Sequence, residues 1–192
     1  LRKLAIVSGV TEGFIGNSIF SAYRREAEFL LEDGALPREI DAALESYGFP
    51  MGLFAVYDMA GLEIAWARRK RQAATRDPSE RYVGIADRLC EAGRLGQKDG
   101  RGWYAYPDGK RQVDPEVTAI IEAYRAEKGI APRSFSAEEI INCLLAAMSD
   151  EGRRLLDAGI ASRESDIDLV MINGYGFPAH KGGPMFAAQT PR

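Results

Sequence analysis

Apolar residues recur at helical spacing through most of this chain. Ile19, Phe20, Tyr23, Ala27, Leu30 and Leu31 follow at steps of one, three and four, a single stripe that stops at Gly34. Pro37 suits the first turn of a second helix, with Ile40, Ala43 and Leu44 inward and Gly48 as its stop. From Leu53 to about Ala74 the pattern predicts one longer helix in spite of Gly61, and Asp77-Pro78-Ser79-Glu80 reads as the start of another, through Ile85 and Leu89 to Gly93. Periodicity fails in "GRLGQKDGRGWYAYPDGKRQV", which reads as a connector with one small hairpin. It returns in "DPEVTAIIEAYRAEKG". Ser136, with Glu139 three places on, then forms a capping-box pattern ahead of Ile140, Ile141, Leu144, Leu145 and Met148, the longest helix expected. Only the opening "LRKLAIVSGV" fits a strand, and alone it has no sheet to join. The expectation is a nearly all-helical chain.

The pattern also repeats. "EGFIGNSIFSAYRREAEFLLEDGALPREIDAALESYGFPMG" has a worn copy in "DEGRRLLDAGIASRESDIDLVMINGYGFPAHKGG". Glu26 and Glu151, Leu30 and Leu155, and Gly34 and Gly159 align at an offset of 125; Gly48-Phe49-Pro50 and Gly176-Phe177-Pro178 align at 128. Duplicated helical units pack on one another because each covers the apolar face the other exposes. The boundary between copies falls near residues 107–115, and a pseudo-symmetric pair is expected.

A length of 192 residues with 46% hydrophobic content is enough to build a core. The net charge of -3 and pI of about 5.4 come with dispersed cations, so no basic face stands out for nucleic acid. The one basic run, "ARRKRQ" at 67–72, reads as the solvated C-terminal end of a helix. Cys90 and Cys143 lack metal-ligand spacing and read as buried thiols of a reducing compartment. No apolar run is long enough for a membrane span and nothing near the start resembles a signal peptide. A start at Leu1 rather than Met reads as that of a fragment.

Candidate chemistry is sparse. "GYGFPA" at 174–179 fits G-x-G-x-x-A, but the expected strand before it, helix after it and later acidic residue are missing, so it reads as a tight turn between helices. His180, the single histidine, lies in a Gly- and Pro-rich turn and reads as a surface residue. Carboxylates are plentiful and read as solvated helix positions. Ser8, Ser18 and Ser21 have no nucleophile-elbow context. In "GFIGNS", Asn17 stands at a helix start, where it either caps free amides or presents its amide, donor and acceptor both, to a ligand.

Several of these motifs, in order, closely resemble the C-terminal domain of L-3-hydroxyacyl-CoA dehydrogenases. They are "EGFIGN", "GFPMG", the Asp58-to-Leu62 segment and "GRLGQKDGRGWYAY"; "INGYGFPAHKGGPMF" is similar to the second tandem copy in multifunctional fatty-acid oxidation enzymes. The resemblance runs from about residue 4 to the end. It implies an all-α fold: two tandem pseudo-symmetric helical domains of the 6-phosphogluconate dehydrogenase C-terminal-like type, at 11–106 and 107–192. Residues 1–10 would be a strand remnant of an NAD-binding domain. The implied function is the substrate-binding and internal-dimerisation portion of an enzyme that oxidises a 3-hydroxyacyl-CoA with NAD. The family's catalytic His-Glu pair and most of the NAD domain would lie upstream, so this portion alone is expected to be inactive, to bind no NAD and to have no catalytic or metal-binding residue.

What carries over is Asn17, which matches the family's Asn that contacts substrate and orders the catalytic histidine. Ser18 stands where Arg is usual, and Leu53 where Pro is usual. The second copy has lost "GFIGN", residues 140–145 reading "IINCLL", and is expected to be a built-in partner rather than catalytic. Linking the copies raises their effective concentration, so they should pair internally and leave the fragment monomeric. The implied partners are the 3-hydroxyacyl-CoA substrate and the upstream NAD domain, with no nucleic acid and no membrane. The implied location is cytoplasmic for a bacterial protein, with a peroxisome open for a eukaryotic one. Two other readings stand beside this one: a non-enzymatic helical interaction module that keeps the fold, and a helical domain of another hydroxy-acid dehydrogenase.

Overall fold

A computed structural model describes residues 4–189. Among these, nine α-helices follow in order: α1 Gly16–Asp33, α2 Pro37–Tyr47, α3 Leu53–Ala60, α4 Glu63–Gln72, α5 Ile85–Glu91, α6 Pro115–Lys128, α7 Ala137–Asp157, α8 Glu164–Tyr175 and α9 Pro184–Gln189. The only β pairing among the described residues is three isolated antiparallel bridges in the connector, Gly96 with Arg101, Arg101 with Ala105, and Ala105 with Gln112. The fold is all-α, as the periodicity predicts. The capping box forms, Ser136 and Glu139 each accepting the other's backbone amide, and it opens the longest of the described helices.

Three elements differ from expectation. The helix predicted from Leu53 to Ala74 is two helices, because Gly61 adopts φ 91°, where α3 ends on its amide bond to the Tyr57 carbonyl. Residues 77–80 are a turn: the Asp77 side chain accepts from both the amide and the hydroxyl of Ser79, a local alternative to helix, and α5 begins only at Ile85. Residues 4–10 form no strand; Gly9 instead donates its amide to the Ile160 carbonyl at 2.8 Å. The first three residues of that predicted strand lie outside the described residues.

The chain divides into two compact units that interleave along the sequence. One comprises Leu1–Ala27, Ala43–Met51 and Ser136–Arg192. Its core is built from Ile15, Ile19, Tyr23, Leu44, Phe49, Leu144, Met148, Leu155, Ile167, Met171, Phe177 and Met185. Here Asp168 on α8 caps α9: its carboxylate accepts the amides of Met185 at 2.7 Å and Phe186 at 3.2 Å. The approach requires Gly183, where a Cβ would lie 2.3 Å from that of Asp168.

The other unit comprises Glu28–Ala42 and Gly52–Phe135. The same device recurs there. Asp41 on α2 caps α3 by accepting the amides of Phe54 at 2.9 Å and Ala55 at 3.0 Å, and a Cβ on Gly52 would lie 2.2 Å from the Asp41 Cβ. The Tyr104 hydroxyl also donates to Asp41, at 2.8 Å. A second buried carboxylate, Asp58 on α3, gathers the connector: it accepts the amides of Trp103 and Tyr104 and the hydroxyl of Tyr106, at 2.8, 2.9 and 3.0 Å. Gly102 makes this possible, since a Cβ there would come within 2.0 Å of Asp58 Oδ1. Trp103, delivered inward, packs against Phe54 with ring centroids 4.5 Å apart. Arg94, fully buried, joins the connector to the start of α6 by donating to the Gly102 carbonyl, Asp114 and Glu116. Arg125 closes the end of α1 by donating to the Leu31 and Ala35 carbonyls.

Burial pushes both Asp41 and Asp58 up to about 6, the hydrogen bonds they accept offsetting part of that effect. The folded values lie above the ordinary 3.8, so the stability these groups contribute is full below about pH 4 and is lost as pH rises through about 6. Asp58→Asn removes one such titration. The stability gap between this chain and the variant, from urea unfolding, should therefore narrow by up to about 3 kcal/mol between pH 4 and pH 7; a widening gap would contradict the assignment. Gly52→Ala and Gly183→Ala should each destabilise by roughly 2–4 kcal/mol in the same assay, since neither aspartate can retreat without abandoning a helix start.

Candidate functional site

The segment leading into α1 turns sharply. Gly13 has φ 88° and Phe14, unusually for a side-chain-bearing residue, φ 49°. Ser18, in the first turn of the helix, steadies this bend by donating its hydroxyl to the Phe14 carbonyl at 2.5 Å, with the Glu12 carbonyl also in reach at 3.1 Å. Asn17 is consequently the second residue of α1, exposed at its surface. It does not act as the cap considered from sequence. Its Oδ1 accepts a hydrogen bond from the hydroxyl of Tyr175, 158 positions away, at 2.7 Å.

Tyr175 is the last residue of α8. Its ring lies directly on Gly16, where a Cβ would come within 2.2 Å of Cε2, and its centroid is 5.9 Å from that of Phe20. Burial raises the phenol above its ordinary value, so the hydroxyl keeps its proton and can donate. Sequence reasoning missed Tyr175: it reads the "GYGFPA" string as a turn and as part of the repeat, and neither reading gives the tyrosine a distant partner. That string ends a helix, with Gly176 as a left-handed C-cap at φ 71°. It is not a strand-to-helix turn, and the residues there do not form a dinucleotide cradle.

Beyond Tyr175 the two Gly-Phe-Pro turns face each other reciprocally. Phe49 and Phe177 meet edge-on with centroids 5.3 Å apart. A Cβ on Gly48 would lie 3.1 Å from Pro178, and one on Gly176 would lie 3.2 Å from Pro50. Each turn uses the same residues against the other, the pattern of a two-fold contact. His180 is exposed in the short 3-10 turn Ala179–Lys181, as a turn histidine should be.

The remaining candidates sort simply. Asp41, Asp58 and Asp168, read from sequence as solvated, are buried and serve backbone amides. Arg69, Lys70 and Arg71 form the last turn of α4, as expected, though Arg69 is mostly buried against Asp87 at 2.6 Å. Cys90 is buried and its thiol is pushed up to about 11 by burial, while Cys143 is half-buried; neither is in a disulfide. Among the described residues, no group of three or more His, Cys, Asp or Glu could hold a metal, and no helix is long and apolar enough to cross a membrane. Around Asn17 the structure offers one exposed side-chain amide whose oxygen accepts from Tyr175.

A family model described as 3-hydroxyacyl-CoA dehydrogenase, C-terminal domain, matches residues 13–106. The peroxisomal bifunctional enzyme of Danio rerio is 44% identical over 98% of this chain and 28% of its own length. The human peroxisomal bifunctional enzyme is 42% identical over 99% of this chain and 28% of its own. The chain thus spans under a third of these curated relatives. Among solved structures, the dehydrogenase part of multifunctional enzyme 1 from C. elegans superposes with a TM-score of 0.73 at 29% identity, covering 95% of this chain and 41% of that one.

Two glycines near the site should respond oppositely to alanine. Gly16→Ala displaces the Tyr175 ring and should destabilise by about 1–3 kcal/mol. Gly174→Ala, on an exposed helical position with open space around it, should leave stability unchanged or raise it by up to about 1 kcal/mol. Urea unfolding of the two variants checks both.

Proposed function

We propose that this chain is the substrate-binding and internally paired portion of an L-3-hydroxyacyl-CoA dehydrogenase within a multifunctional β-oxidation enzyme, a reading supported by the match of residues 13–106 to the C-terminal domain family of 3-hydroxyacyl-CoA dehydrogenases. The observation that carries this reading is the placement of Asn17: it lies inside the matched segment, exposed at the start of α1, with its amide held from one side. In that setting it orients the acyl-CoA substrate. NAD in the intact enzyme supplies the hydride acceptor, which turns the 3-hydroxyacyl-CoA into the 3-oxoacyl-CoA. The cofactor site and the catalytic His-Glu pair belong, on this reading, to a part of the enzyme outside this chain, and the chain alone turns over no NAD.

The copies are assigned to residues 11–106 and 107–192. Support comes from the matching aspartate-capped helix starts, Asp41 with Gly52 and Asp168 with Gly183, and from the reciprocal Gly-Phe-Pro contact. The second copy serves as a partner for the first and carries no site of its own. Relatives from animals and plants are named as peroxisomal, which supports a peroxisomal location if the source is a eukaryote.

The test is NADH formation from a 3-hydroxyacyl-CoA by the full-length enzyme, with and without Asn17→Ala. Loss of one amide contact to substrate should lower kcat/KM by about 10- to 100-fold with the fold intact. Unchanged turnover removes Asn17 from the site, and an inactive parent removes the dehydrogenase reading.

A further inference from the structure

We propose that Tyr175 is a positioning residue for Asn17, fixing its amide so that the NH2 group faces the ligand as a hydrogen-bond donor. This rests on the reading of Asn17 given above. A side-chain amide has two faces, an acceptor oxygen and a donor nitrogen, and an exposed Asn ordinarily turns between them. Here the Tyr175 hydroxyl occupies the oxygen at 2.7 Å, which leaves Nδ2 to point away from it. The hydroxyl itself cannot swing, because the ring is set against Gly16 on one side and Phe20 beside it.

The ring's own position is fixed from behind. Gly176 ends α8 in the left-handed conformation with its amide on the Met171 carbonyl, and Phe177 donates to the same carbonyl at 3.1 Å while its ring packs on Phe49. A chain of fixed contacts thus runs from the Gly-Phe-Pro pair through Tyr175 to Asn17. The chemical consequence is a choice of ligand atom. With its oxygen turned toward Tyr175, Asn17 presents Nδ2, so it recognises an oxygen acceptor of the substrate, a carbonyl or hydroxyl oxygen, rather than a donor group. The second copy thus contributes the group that sets the first copy's specificity.

A double-variant cycle in the full-length enzyme tests this, with Tyr175→Phe, Asn17→Ala and the pair. Removing one oxygen while keeping the ring should lower kcat/KM for the 3-hydroxyacyl-CoA by about five- to tenfold, leaving the KM for NAD and the melting temperature unchanged. In the Asn17→Ala background, Tyr175→Phe should have no further effect. Equal losses in both backgrounds would show that Tyr175 acts independently of Asn17 and overturn the proposal. A silent Tyr175→Phe beside an impaired Asn17→Ala overturns this inference alone. An inactive parent, or a silent Asn17→Ala, overturns the inference together with the reading it rests on. If Tyr175→Phe melts early, the cycle is read below its transition, where non-additivity with Asn17→Ala still decides.

Discussion

A buried carboxylate wrapped by backbone amides is the constraint from which most of this structure follows. Asp41, Asp58 and Asp168 each accept two main-chain amides, and each does so across a glycine, or beside one, that has no room for a side chain. An uncompensated charge at such depth is untenable, so the amides must come to it, and the chain is bent until they do. At Asp41 and Asp168 the result is a helix start; at Asp58 it is the path of a whole connector. The apolar packing of Trp103 on Phe54 follows from that path rather than causing it.

This explains what could and could not be read in advance. The stripe of α1, the inward residues of α2 and the capping box of α7 use partners within four positions, and periodicity exposes them. Asp41, Asp58 and Asp168 accept from residues 13 to 63 positions away, so in sequence they look like any polar residue on a helix. The errors at Gly61 and Asp77 have a nearer cause. One glycine took a positive φ, and one aspartate bonded its own turn, both choices that apolar spacing does not record.

The candidate site shows the same split. Asn17 was legible because its neighbours in "GFIGNS" form a recognisable string. Its contact with Tyr175 was not, since the pair is separated by nearly the length of the chain. Three glycines mark places where something large must approach. Gly16 receives an aromatic ring, Gly102 a carboxylate and Gly34 the Arg133 backbone, whose carbonyl would lie 1.9 Å from a Cβ.

The reciprocal contact of Gly48-Phe49-Pro50 with Gly176-Phe177-Pro178 has a genetic consequence. When two identical chains meet about a two-fold axis, every mutation in the contact is felt on both sides at once. Here the two sides are encoded separately, so one can change while the other stays as a fixed template. Innovation in such a surface proceeds one half at a time. The tyrosines beside the two turns already differ: Tyr47 lies by both Phe49 and Phe177, at 6.2 and 6.1 Å, while Tyr175 donates to Asn17.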